Sequence, residues 1–430
     1  MKKFDTPWLE YLENIAPLPA LSKDIACNVL IVGEGITGMT TAYELSKSGK
    51  KVVVIQKGTL KDTTTAYTTA FLTSMLDTDV QDLLRMNSKA NVKEIVASHE
   101  KAITYIEQTT KNDKFDCEFM RVPYYSFAKD ATSLERCVEE VKARKKSGFA
   151  AETFSSGEIP FENTGGMKIL HQAKFHPTKY LVGLRKKAMQ NGVEFYENTT
   201  AGKIKGGEEV QKVEVEAKVG HKTFTITADQ IVIATHNPYV QPWWYYFKKG
   251  EYVSYVLELS VSHGQIPEAL FEDDENPYHY IRVDAGKGKD GGDRVIVGGE
   301  DHRKEIKMKD VNAYERLENY FKHILPDVEY DIVRKWDGSI YEPTDGLAII
   351  GRYSTKYPNR FTAGGFSGNG MTYGTLAGMM ISDMIEGEEN EWEEIYAPSR
   401  LFSVTDLLIK GRDYVGELWN GVITGMFRKK

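Results

Sequence analysis

Residues 28–58 hold the feature that most limits what this chain can fold into. An apolar run, Asn28–Val32, stops at Gly33. Such an unbroken run reads as a strand buried on both faces of a parallel sheet. Residues 37–48 have helical spacing, with Ala42 and Leu45 facing inward, and Gly49 suits the position just after the helix end. A second apolar run occupies residues 51–55. Strand, helix and strand in that order predict a βαβ unit with parallel strands and a right-handed crossover.

The turn inside this unit is Gly33-Glu34-Gly35-Ile36-Thr37-Gly38, the pattern GxGxxG. Gly33 allows a tight turn, Gly35 lets the backbone approach a pyrophosphate, and Gly38 lets helix and strand pack closely. The helix start then offers free N–H groups and a partial positive charge to phosphate. A plain glycine-rich β–α turn is the competing reading. The end of the second strand usually carries Asp or Glu for ribose hydroxyls, but here it is Gln56, followed by Lys57. A glutamine amide oxygen can accept that bond without charge assistance. Gln56 as a solvated strand end is the alternative.

With 430 residues the chain exceeds what one core usually supports, so two domains are expected. Residues 80–110 and 133–146 are helical by period, 118–128 read as an aromatic-rich strand, and His176-Pro177 opens a further helix. Residues 193–235 alternate as strands and end in the apolar run Gln230–Thr235, and 251–300 form a second strand-rich block. Short strands at 346–350 and 361–363 precede a helix at 371–385. Dinucleotide-type elements therefore occur three times with β-rich stretches between. The expected class is α/β with an α+β second part. Residues 1–78, 150–236 and 335–396 are expected to form a Rossmann-like cofactor domain on a parallel sheet. Residues 79–149 and 237–334 are expected to form an antiparallel-sheet substrate domain, and 397–430 an amphipathic tail.

Several classes are disfavoured. The net charge is −7 and the positive charges are dispersed, so no nucleic-acid partner is expected. Cys27, Cys117 and Cys137 are the only cysteines and no CxxC occurs, which argues against a redox disulfide, zinc ribbon or iron–sulfur site; no metal site is expected. The N-terminus leads into no apolar run and no stretch is long enough to span a bilayer, so the chain is expected to be cytoplasmic.

Four blocks together resemble the D-amino-acid-oxidase-like FAD oxidoreductases: residues 29–38, Phe175-His176-Pro177, residues 231–235, and Asp345–Gly351 with Gly364–Thr372. The resemblance runs from about Trp8 to Tyr396. Trp336-Asp337-Gly338 and Gly365–Gly370 resemble the corresponding blocks of γ-glutamylputrescine oxidase, and the order of blocks resembles bacterial relatives that carry a C-terminal Rieske domain. This chain ends before such a domain, so the acceptor is expected to be oxygen or a separate partner.

The resemblance implies non-covalent FAD, since no cysteine lies in the closing block. It places the flavin near Gly351, Gly365, Ser367, Gly368, Asn369, Gly370, Met371 and Thr372. It puts the pyrophosphate and ribityl chain near Thr64, Thr65, Thr68 and Thr69, although the usual glycine is missing there. Ala201 matches the adenine-reading position, and Thr235 lies near the ribose and pyrophosphate.

The chemistry implied is oxidation of a C–N bond by hydride transfer to flavin N5. That needs placement and electrostatics more than an acid–base pair. The arginines that hold a substrate carboxylate in glycine oxidase are absent, their places held by Ile340 or Tyr341 and by Ser367 or Gly368. This favours an amine-type substrate. Arg121 and Arg282 are candidate substitutes, with a structural ion pair as the competing role. His176, with helix capping or packing as its competing role, Tyr125 (or its neighbour Tyr124) and Tyr341 are further pocket candidates. Weaker ones are His302, together with Trp336 and the aromatic run 242–247, for which burial in the core is the competing role. In the tail, Val404 to Met426 form a helical apolar stripe. Such stripes pack on their own chain or on a twin subunit, and a peripheral membrane helix is the minority alternative.

Overall fold

A computed structural model describes residues 5–86, 89–208, 212–237, 249–304, 312–343 and 345–400. In chain order the elements begin α1 (Leu9–Glu13), β1 (Ile25–Val32), α2 (Ile36–Leu45), β2 (Val52–Ile55), β3 (Phe71–Leu72), α3 (Val80–Met86), α4 (Lys89–Asp113) and β4 (Met120–Ala128). There follow α5 (Ala131–Lys146), β5 (Glu152–Ser155), β6 (Gly165–Lys174), α6 (Pro177–Gln190), β7 (Glu194–Tyr196), β8 (Thr200–Gly206), β9 (Val213–Val219) and β10 (Lys222–Ile233). The rest are β11 (Lys249–Val261), β12 (Leu270–Asp273), β13 (His279–Asp284), β14 (Asp293–Arg303), α7 (Ala313–Ile324), β15 (Tyr330–Pro343), β16 (Ile349–Ser354), β17 (Tyr357–Gly364), α8 (Gly370–Glu386) and α9 (Glu393–Tyr396).

The first sheet runs β16-β17-β10-β1-β2-β7, with β9 on β10 and β8 on β9. Its centre is parallel: β1 pairs with β2 and β10, β2 with β7, and β10 with β17. The unbroken apolar run of β1 has a clear cause. Val29 and Ile31 face the helical layer with Met39, Leu184 and Ile381, while Leu30 and Val32 face Val213, Val215 and Ile226 of the β8–β10 meander. Both faces are covered, so polar alternation would cost stability. This is the expected Rossmann-like layer.

The second sheet runs β15-β11-β14-β13-β12-β4-β6-β3, with β5 on β6. It is antiparallel except for one parallel pair, β12 with β4. Helix α7 packs Leu317, Phe321 and Ile324 onto Leu257, Ile281 and Val297 of this sheet.

The sheets divide the chain elsewhere than the sequence reading placed the boundaries. Residues 152–174 belong to the second sheet, because β6 pairs with β4 and β5 pairs with β6. So does all of β15, through its long pairing with β11. Conversely α4, expected in the substrate domain, buries Val92, Ile95, Ile103 and Ile106 in the same core as Met39 and Ile381. Apolar period identifies an element but not its distant partner. Among the described residues no helix is long and apolar enough to cross a membrane. The aromatic run 242–247 and the stripe of 404–426 lie outside the described residues.

Candidate active site

The glycine turn is built by contact. Gly33 has φ +109°, a conformation side-chain-bearing residues avoid, and a Cβ there would lie 2.3 Å from Ala234 O. A Cβ on Gly38 would lie 1.9 Å from Gly33 O. Helix α2 starts over this turn, and its Ile36 N–H donates to Thr65 Oγ1 at 3.0 Å. Gln56 turns inward rather than outward: its Oε1 accepts from Glu34 N at 3.2 Å, so the residue expected at the ribose also braces the turn.

Glu34 is buried and ion-paired to Arg185 at 3.2 Å, and Arg185 also meets Glu197 at 2.8 Å. Burial pushes the Glu34 carboxyl up to about 7, although Arg185 opposes the shift. Between about 4.5 and about 7 the unfolded chain therefore ionises this group while the folded protein keeps it protonated. Its contribution favours folding least at high pH: stability falls as pH rises through that window and levels off above it. Glu34→Gln should flatten that part of a plot of Tm against pH.

A cavity of about 600 Å³ runs from this turn to the second sheet. That size suits a small-molecule site. Gly33, Gly35, Ile36, Thr37, Gln56, Lys57, Thr64, Thr65, Thr68, Thr69, Ala201, Thr235, Ser367, Gly368, Asn369, Gly370 and Met371 line it. The starts of α2 and α8 both open onto it, and a Cβ on Gly370 would meet nothing within 4 Å. Two helix N-termini with bare backbone fit a long anionic dinucleotide such as FAD.

Four expected cofactor residues stand off the cavity wall. Gly38 packs on Gly33, and Gly351 packs on Pro398 and Met384. Gly365 sits against Pro343, and Thr372 donates to Asn369 O at 3.1 Å. Gly38 and Thr372 each touch a residue that does line the cavity, Gly33 and Asn369, and Gly365 directly precedes Phe366, which also lines it.

The five substrate-pocket candidates are likewise placed elsewhere. His176 caps α6, its Nδ1 accepting from Lys179 N, with Trp8 and Tyr11 edge-on. Tyr125 stacks on Phe271 at 5.4 Å. Arg121 forks onto Glu107 Oε2 at 2.8 and 2.6 Å. Arg282 is buried with Asp284 and backbone carbonyls. Tyr341 stands behind the wall, its hydroxyl accepting from Asn237 Nδ2 at 3.2 Å. Of the weaker candidates, His302 stacks on Tyr255 and Trp336 is fully buried.

The wall facing the second sheet holds groups the sequence reading missed: Phe71, Asp77, His236, Ser254, Glu272, Tyr278 and Tyr280. Glu272 Oε2 accepts from Tyr124 Oη at 2.9 Å, and Asp77 Oδ2 accepts from Gly368 N at 2.7 Å. Tyr278 donates to Asp301 at 3.0 Å, while the Tyr280 and Ser254 hydroxyls lie 3.2 Å apart. Burial, and then the Asp77 charge, push the Glu272 carboxyl up to about 8. Among the described residues lining the cavity, Lys57 is the only lysine or arginine, and it sits beside Gln56 at the glycine-turn end. Glu272 gave little signal in the sequence, because it opens the acidic run Glu272–Glu275 at the end of β12.

Outside the cavity, Asp273, Glu275 and His279 bring ligand-type atoms within 4.8 Å of one another. The His279 ring nitrogens face Asp273 at 2.9 Å and Glu300 at 3.3 Å. Burial would lower its pKa, but these carboxylates outweigh that and raise it to about 9. The group is an ion-paired cluster built around an imidazolium.

Comparison with known proteins agrees with this geometry. The family model described as FAD dependent oxidoreductase (DAO) matches residues 28–384. The Bacillus subtilis (strain 168) protein YhfW, named as a Rieske 2Fe-2S iron–sulfur protein, is 29% identical over 423 residues, 97% of this chain and 79% of that protein. The Escherichia coli (strain K12) gamma-glutamylputrescine oxidoreductase is 22% identical over 394 residues, 88% of each chain. Among solved structures, glycine oxidase from Geobacillus kaustophilus superposes with a TM-score of 0.71 at 18% identity, covering 88% of this chain and all of that one. L-proline dehydrogenase from P. horikoshii gives 0.69, also at 18%, covering 89% and 98%.

Proposed function

The chain belongs to the DAO family of FAD-dependent oxidoreductases, and from that premise we propose that it oxidises a C–N bond of an amine that enters as a cation. The observation that supports this reading is the cavity wall at the second sheet. It presents the Glu272 carboxylate and the rings of Tyr278, Tyr280 and Phe71, and no arginine among the described residues lines it. A carboxylate and aromatic faces suit an ammonium, whereas a substrate carboxylate calls for a guanidinium fork.

In this reading Gly35, Ile36 and Thr37 hold the pyrophosphate with the threonines of 64–69, and Ser367–Met371 hold the flavin at the start of α8. Bound FAD supplies the acceptor for a hydride from the carbon beside the nitrogen. The protein's own task is to deliver the amine neutral. Glu272, raised to about 8, is far closer to an alkylammonium in proton affinity than an ordinary carboxylate is. Its ionised form takes one proton from the ammonium, leaving neutral amine and protonated Glu272. Loss of hydride from the neutral amine gives an iminium cation, and water then splits it into a carbonyl compound and the released amine, which carries away the proton.

Electrons leave to oxygen or to a separate acceptor. The second course draws support from the Bacillus subtilis relative, which is named as an iron–sulfur protein. Cys27, Cys117 and Cys137 are free, buried and remote in sequence from one another, and none lines the cavity. None of the three cysteines is therefore placed to bond the flavin, and in this reading FAD is held without a covalent bond.

Two measurements test this. Acid precipitation should leave the yellow colour in the supernatant, and a yellow pellet would contradict non-covalent binding. Anaerobic mixing with primary amines, N-methyl amines and polyamine conjugates should bleach the flavin, while loss of activity on all of these donors with bleaching by α-amino acids alone would reject the amine reading. Admitting air then separates the acceptors. Colour returning within seconds indicates oxygen, and a persistently bleached enzyme indicates a separate partner.

A further inference from the structure

The segment 63–70 lines the cavity with Thr63, Thr64, Thr65, Tyr67, Thr68 and Thr69, yet it contains no glycine. Its last residue, Ala70, nonetheless has φ +58°. That left-handed conformation disfavours any residue with a Cβ. Something other than glycine must hold the backbone there.

The structure shows what does. Five consecutive carbonyls, those of residues 66–70, each accept a hydrogen bond from a side chain behind the segment. Thr6 Oγ1 donates to Ala66 O at 2.7 Å, Trp336 Nε1 to Tyr67 O at 2.9 Å, and Trp8 Nε1 to Thr68 O at 2.6 Å. Arg282 Nη1 donates to both Thr69 O and Ala70 O at 2.9 Å. All four donor residues are buried, and the Arg282 guanidinium lies 5.0 Å from the Trp8 ring. Arg282 is itself fixed by Asp284 at 3.0 Å and by Phe175 O at 3.0 Å. The donors come from three places: the N-terminal segment, β13 and β15.

With all five carbonyls drawn backward, Tyr67, Thr68 and Thr69 stand on the cavity wall. We propose that Thr6, Trp8, Arg282 and Trp336 form a rear brace that positions residues 66–70 for FAD, in the role a glycine would otherwise play. None of the four reaches the cavity, so they are positioning residues. The brace also makes the cofactor segment depend on strands of the substrate-side sheet and on the chain before β1. This inference rests on FAD occupying the cavity and is independent of which substrate is oxidised.

The test follows FAD leaving the holoenzyme, seen as the rise of free-flavin fluorescence on dilution, so no substrate is involved. Trp8→Phe, Thr6→Val and Arg282→Lys each remove or misplace a donor with little change of volume. Trp392→Phe, a buried tryptophan outside the brace, is the comparator for general loosening. Release should accelerate about tenfold for Arg282→Lys and several-fold for Trp8→Phe, since tenfold corresponds to roughly one hydrogen bond. Trp392→Phe should leave release unchanged. Adding Ala70→Gly relieves the left-handed conformation and should restore at least half of the lost retention, measured on a logarithmic scale. Release rates in the three variants within twofold of wild type would overturn the brace. So would acceleration that Ala70→Gly does not reverse, because that marks a general structural defect. If Arg282→Lys does not fold, Thr6→Val and Trp8→Phe decide the matter.

Discussion

Glu272→Gln is expected to lower kcat/KM for a cationic amine by about a hundredfold or more. Glutamine keeps the shape and the acceptor for Tyr124 Oη but cannot take a proton or balance a charge. Removing one partner of a buried charge pair typically costs about 3–5 kcal/mol, and each 1.36 kcal/mol is a factor of ten in rate. The pH profile separates loss of charge from loss of fit. In wild type, kcat/KM should rise as Glu272 ionises near pH 8, and should fall where the free amine loses its proton. In Glu272→Gln the break near 8 should vanish, and kcat/KM should instead rise as the free amine loses its proton, since no base remains to deprotonate the bound cation. A variant that retains both the wild-type rate and the break would show that Glu272 neither binds nor deprotonates the substrate. The linkage for folding runs in the same window. The folded carboxyl holds its proton up to about 8, so this residue favours unfolding increasingly as pH rises from about 4.5 toward that value. The glutamine variant should therefore be no less stable than wild type at pH 8.

Gly38→Ala, at the start of α2, should be among the most damaging conservative changes at the glycine turn. Its Cβ would lie 1.9 Å from Gly33 O and 3.2 Å from Ile31 Cγ2. The nearest obstacle is backbone, which no rotamer change removes, so α2 must move off β1. Overpacking of this kind costs about 1–3 kcal/mol, and the very short contact puts it at the upper end. The same shift displaces Ile36 and the free N–H groups of α2 from the cavity. The purified variant should be largely colourless, with its Tm lowered by several degrees. Gly370→Ala is the counterpart, because its Cβ meets nothing within 4 Å. It should fold with the wild-type Tm, and because Gly370 lines the cavity at the flavin end, any loss of colour there is loss of cofactor contact rather than of helix–strand packing. If Gly38→Ala retained full colour and stability, the close approach of helix and strand would not be what the turn is for.

These cases mark how far the sequence could be read. The βαβ unit was legible because each of its signals is local: the apolar runs, the spacing of the glycines, the helical stripe. The cavity lining by the turn, by the threonines and by Ser367–Met371 followed from short motifs and a family resemblance. Gln56 was half legible, since the missing acid could be seen but not its bond to Glu34 N. The boundaries failed where pairing is non-local: β6 lies some forty residues after its partner β4, and nothing in either run names the other. Arg282 carried two readings, a substrate anchor and a structural ion pair, and its bond to Asp284 fits the second. What the sequence could not show is its bonds to carbonyls more than two hundred residues away. Asp77 and Glu272 escaped notice for the same reason, because acids far apart in sequence, one of them in an acidic run of four, acquire meaning only when folding brings them to one wall.

The most direct measurement of the central claim is the first-order rate of anaerobic flavin bleaching by matched donors, an alkylamine and the α-amino acid with the same side chain, in wild type and in Glu272→Gln. The cation-accepting cavity predicts that wild type is reduced at least about tenfold faster by the amine, and that Glu272→Gln loses most of this preference. Equal or faster bleaching by the amino acid in wild type, or a preference for the amine unchanged in Glu272→Gln, would contradict it.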